Sequence, residues 1–254
     1  TLCRSSAASD VYKRQIFKNQ LHYIKKVQFK KLREQIGFKL GALLKLWKNL
    51  PHQAKLVLFG DDSESDVIIY TLLVYILAKK IEGSELYDLL SDLNVLAADA
   101  LRIVKEADLI EKASYPVQGI FINLECGTSP TFYSKIAPLV YPTDNSMQAA
   151  FVLYEKGVID FPSLRSVGKE MVEQFGFSPQ EIYLSLEIAF KRGLCLRQTL
   201  LDVWDKLAIA KVIPENPRST EPFVNTSFSK KWNPHDIEEK TREEHYKAFK
   251  AYRY

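Results

Sequence analysis

Apolar positions along the chain fall into two kinds of pattern. From Ile36 to Asn49 they recur at helical spacing, with Phe38, Leu40, Leu43, Leu44, Leu46 and Trp47 on the repeating positions, and Leu50-Pro51 ends the run. A short continuous apolar run follows, Leu56 to Phe59, which reads as a buried strand. It stops at Gly60, opens into Asp61, Asp62, Glu64 and Asp66, and becomes apolar again from Val67 to Leu77. The order helix, turn, strand, acidic loop, helix is one unit of a parallel α/β sheet.

Beyond Ile81 the pattern is mainly helical. Leu86, Leu89, Leu90, Leu93, Leu96 and Ala97 keep a helical period, and residues 99–112 continue with Ala100, Ile103, Val104 and Ala107. Residues 117–124 read instead as a strand, ahead of the turn-rich Cys126-Gly-Thr-Ser-Pro130, whose backbone could cradle an anion or simply turn the chain. Further helices are expected over 147–156, 164–175, 182–192 and 198–210. Ser178-Pro-Gln-Glu181 supplies a cap, a proline at the first helical position and the acid three residues on. From Pro214, four prolines among Asn, Ser and Thr describe a connector, followed by the charged tail 236–254.

The first fifteen residues, Thr1 to Gln15, have neither helical periodicity nor the apolar core of a signal peptide. They resemble translated sequencing adaptor and are set aside. The expected organisation is therefore an adaptor-derived segment (1–15), the C-terminal part of an α/β domain (16–82), a mainly helical region (83–214), and a connector with a charged tail (215–254). On this reading any chemistry encoded upstream is not visible in the chain.

Composition narrows the class. With 254 residues and 46% hydrophobic content the chain can bury a substantial core. No stretch approaches the roughly 20 apolar residues of a membrane span. Cys3, Cys126 and Cys195 are odd in number and far apart, which disfavours a disulfide framework or zinc site and suits a cytoplasmic setting. His22, His52, His235 and His245 have no partner at metal-ligand spacing. A net charge of +4 does not call for nucleic acid, and the basic run between Lys18 and Arg33 reads as the polar face of a helix.

The acidic loop is where chemistry is expected, since ligands of open α/β sheets sit at the carboxyl ends of the strands. Four carboxylates within six residues repel one another unless a hard cation such as Mg²⁺ neutralises them. The competing reading is a solvated turn that caps the next helix.

The block Phe38-Lys-Leu-Gly-Ala-Leu-Leu-Lys-Leu-Trp-Lys-Asn-Leu-Pro51, followed by Leu56-Val-Leu-Phe-Gly-Asp-Asp-Ser-Glu-Ser-Asp-Val-Ile-Ile-Tyr70, resembles the last two motifs of the haloacid dehalogenase superfamily of phosphohydrolases, nearest to its bacterial phosphatidate phosphatase-like branch. The resemblance covers about 35 residues. It implies the C-terminal part of a Rossmann-like parallel-sheet domain and a Mg²⁺-dependent phosphatase acting on a phosphorylated small molecule or lipid. By resemblance, Lys39 pairs with the nucleophile and phosphate, and Asp61 with Asp62 or Asp66 holds Mg²⁺. The pattern also requires an Asp-x-Asp nucleophile loop and a Thr or Ser motif ahead of the lysine helix, and neither precedes Lys39. The fragment is therefore expected to be inert by itself. Two alternatives stand beside it: a phospho-accepting receiver domain, which also places paired acids after a buried strand, and a non-catalytic helical interaction module.

Overall fold

The structure, a computed structural model, describes residues 35–63, 65–111, 113, 116–133 and 139–215. The adaptor-like start, the basic segment, His22, Glu64 and the tail with His235 and His245 lie outside the described residues. Twelve described elements follow in order: the helix over 35–48 (α1), β1 (Leu56–Asp61), α2 (Asp66–Leu77), α3 (Gly83–Asp92), α4 (Ala97–Asp108), β2 (Val117–Asn123), α5 (Pro130–Tyr133), β3 (Val140–Thr143), α6 (Ser146–Glu155), α7 (Phe161–Glu173), α8 (Pro179–Lys191) and α9 (Arg197–Ile209). The architecture is α/β, with a parallel three-stranded sheet in the order β1-β2-β3, compatible with the Rossmann-like class. The described residues form two compact units interleaved in sequence, one spanning 35–54 and 68–113, the other 55–67 and 116–215.

The first unit is helical. Ile36, Leu40 and Leu44 are the buried positions of α1, and Leu86, Leu89, Leu90, Ala100, Ile103 and Ala107 are those of α3 and α4, at the spacing the sequence shows. Gly37 and Gly41, which lower the helix propensity of α1, have a packing reason. A Cβ at Gly37 would lie 3.0 Å from the Cβ of Asp99, and one at Gly41 would lie 2.6 Å from Nη1 of Arg102. The missing side chains let α4 come close, and Arg102 donates to the Gly37 carbonyl at 3.3 Å while pairing with Asp99 at 2.6 Å. Lys48 pairs with Glu106 one turn further along, at 3.0 Å. α2 is apolar on every side, and all of it except Tyr70 is buried.

The second unit holds the sheet. Phe59, Phe121 and Tyr141 are aligned across the three strands and stack with ring centroids 5.2 and 5.3 Å apart. Phe121 packs with Ala149, Val152 and Leu153 of α6, and α6 to α9 close around Phe151, Leu164, Ile182, Leu186 and Leu207. Ser178 and Glu181 form the full capping box at the start of α8. β3 is absent from the sequence reading. It has four residues, one of them Pro142, which lacks the N–H a central strand needs and is tolerated here on an edge strand. β1 is the opposite edge among the described strands. Only Leu58 of its residues is buried, so it is less covered than its apolar run predicts. Among the described residues no helix is long and apolar enough to cross a membrane.

Candidate functional site at the carboxyl edge of the sheet

The register places Asp61, Asn123 and Thr143 side by side at the carboxyl ends of β1, β2 and β3. The ladder runs one step further, with the Asp62 N–H donating to the Asn123 carbonyl at 3.1 Å and the Leu124 N–H to Thr143 at 2.8 Å. Three polar strand ends thus share one edge, at the location where open parallel sheets bind ligands.

Each aspartate of the loop is held differently. Asp61 closes a tight turn on itself: its Oδ1 accepts the Ser63 N–H at 2.8 Å and the Ser63 hydroxyl at 2.5 Å. Its Oδ2 has no hydrogen-bond partner among the described residues. Asp66, the first residue of α2, is 5% exposed. Its side chain lies over Gly60, where an added Cβ would come within 2.5 Å of both its Cβ and Oδ2. Gly60 is therefore the residue that lets Asp66 return to the strand end beside Asp61. Between them Ser65 is fully buried, and its hydroxyl has no hydrogen-bond partner among the described residues.

Asp62 is committed to the neighbouring loop. Oδ1 accepts the N–H groups of Glu125 and Cys126, both at 2.8 Å, and Oδ2 accepts that of Thr128 at 3.0 Å. The turn after β2 does cradle an anion, and the anion is this carboxylate. Partial burial opposes its ionisation, but the amides of Cys126, Thr128 and Glu125 outweigh burial and hold its pKa below the ordinary carboxylate value. Asp61 and Asp66 are the other two carboxylates at the strand end.

The nearby thiol and phenol are both shifted toward their protonated forms. Cys126 is exposed, yet desolvation and the charges of Asp62 and Asp61 push its thiol pKa up, so it stays protonated. Tyr133 is almost fully buried and is also pushed up, first by burial and further by Asp62, although the Thr128 hydroxyl pulls the other way. Beyond β3, Asp144 pairs with Arg192 at 2.9 Å, and its N–H donates to Gln148 Oε1 at 2.8 Å. The fully buried Gln148 also donates to the Ser185 carbonyl at 3.0 Å, which ties the end of β3 to α8. Asn123, Thr143, Asp144 and Gln148 carried no motif. Their one signal was position after a strand, and β3 itself was not legible.

Lys39 is half-buried on α1, whereas Lys45 and Lys48 on the same helix are exposed. It belongs to the first unit, and Asp61, Asp62 and Asp66 to the second.

Among the described residues no three His, Cys, Asp or Glu side chains form a ready-made metal-ligand set. Mg²⁺ does not require one, since it keeps several waters and takes one or two protein carboxylates together with substrate phosphate. Asp61, Asp66 and the buried Ser65 hydroxyl suit that demand. Comparison with protein-family models, curated proteins and solved structures finds no match to this chain.

Proposed function

We propose that this chain carries the metal-binding half of a Mg²⁺-dependent phosphate monoester hydrolase of the haloacid dehalogenase type. The observation that supports this most is the return of Asp66 over Gly60 to the strand end that carries Asp61. A plain helix cap would not need a buried carboxylate there.

In this reading Asp61 and Asp66 hold Mg²⁺, and Asp62 holds the loop after β2 in place. The cation supplies charge stabilisation to the transferred phosphoryl group, whose chemistry depends mainly on positioning and electrostatics. The substrate is a phosphorylated small molecule or a lipid phosphate.

A Mg²⁺ titration followed by amide NMR tests the metal assignment. Shifts concentrated at residues 60–66 and abolished by Asp61→Asn are expected. Shifts elsewhere, or unchanged shifts in Asp61→Asn, would overturn it.

A further inference from the structure

Helices α7 and α9 carry a feature that the proposed hydrolysis does not use. α7 and α9 enclose an open cavity of about 490 Å³, lined by Phe161, Arg165 and Lys169 from one helix and by Lys206, Ile209, Ala210 and Lys211 from the end of the other. Four of the seven lining residues are cations and none is an acid. Among the described residues, none of these four cations lies within ion-pair distance of a carboxylate.

This arrangement is not the usual solvated face. Arg165 and Lys169 lie one helical turn apart on α7, and Lys206 and Lys211 flank the last turn of α9, so like charges converge on one concavity without neutralisation. Apolar side chains share the lining. Ile209 is 82% exposed, and the Phe161 ring carries the Lys206 ammonium 5.5 Å from its centroid. A cavity of this size suits a small organic ligand. Its charge calls for more than one anionic group, with the guanidinium offering a bidentate fork and the lysines acting as point charges.

We propose that the groove between α7 and α9 binds a soluble organic ligand bearing two or more phosphate groups, the phosphates held by Arg165, Lys169, Lys206 and Lys211 and the organic part resting on Ile209 and Phe161. The site lies on elements that carry none of the proposed Mg²⁺ ligands, so it stands or falls independently of the hydrolase reading.

Calorimetric titration of the full chain in EDTA, with tripolyphosphate and with ATP as probes, tests it. Chelation removes Mg²⁺-dependent binding at the carboxylate site. Saturable one-to-one binding is expected, tighter for ATP than for tripolyphosphate and weakened by added salt. All four cations are exposed, so Lys169→Gln combined with Lys206→Gln should fold normally and weaken both probes about tenfold or more. Absence of saturable binding, or equal affinity in the double variant, would overturn the proposal. So would binding confined to phosphatidylglycerol vesicles, which would make this face a membrane contact.

Discussion

The Asp62 carboxylate accepts the backbone N–H of Cys126 at 2.8 Å across 64 positions of sequence. With the companion bonds from Glu125 and Thr128, this one side chain fixes the loop after β2 against the end of β1. Asp62→Ala leaves three amides without their acceptor and should destabilise the chain by about 2 kcal/mol, allowing for the partial exposure of the site. Urea denaturation measures this, and a midpoint equal to wild type would refute the role.

The same bonds set an acid dependence. The Asp62 pKa lies below its ordinary value of 3.8 in the folded chain, so the stabilisation is present above that value and is lost as pH falls through the lower folded one. Asp62→Asn should therefore flatten the loss of stability below about pH 4. Parallel acid-unfolding curves for variant and wild type would argue against it.

Glu155 should show the opposite sign. Burial pushes its carboxyl pKa up, against the opposing pull of the Leu196 N–H and Lys156. The unfolded chain then releases this proton first, and stability falls as pH rises from about 4.5 through the folded value. Glu155→Gln keeps an oxygen to accept the Leu196 N–H, 2.8 Å from Oε2 of Glu155, while removing the half-buried charge. At pH 7 it should be neutral or stabilising by up to about 1 kcal/mol, read from thermal or urea midpoints. A marked loss of stability would contradict this.

Gly60→Ala should be more damaging than an ordinary strand substitution. Its Cβ would meet the Cβ of Asp66, an atom close to the backbone that cannot swing away. A cost of about 1–3 kcal/mol is expected, together with displaced amide resonances at Asp66. A variant of wild-type stability with an unmoved Asp66 would show that the close approach is not required.

Much of this was legible in the sequence because it depends on local pattern. The run Leu56 to Phe59 with its glycine stop marks β1, and Ser178 with Glu181 marks the start of α8, since strand alternation and capping are short-range properties. The less legible parts depend on distant partners. Gly37 and Gly41 look like weak helix positions until Asp99 and Arg102, some 60 residues on, are seen against them. Asp62 cannot be separated from Asp61 and Asp66 by sequence, because what distinguishes it is a loop beyond residue 124. β3 was hidden by its length and by Pro142, which reads as punctuation unless the strand is known to lie at an edge.

The most direct test of the hydrolase reading is phosphate release from p-nitrophenyl phosphate by the complete reading frame that contains this chain, with and without Mg²⁺, in wild type and Asp61→Asn. Turnover should require Mg²⁺ and fall about a hundredfold or more in the variant, with its thermal midpoint little changed. Inactivity of the complete protein toward this and other phosphate monoesters, or full activity in Asp61→Asn, would contradict the assignment.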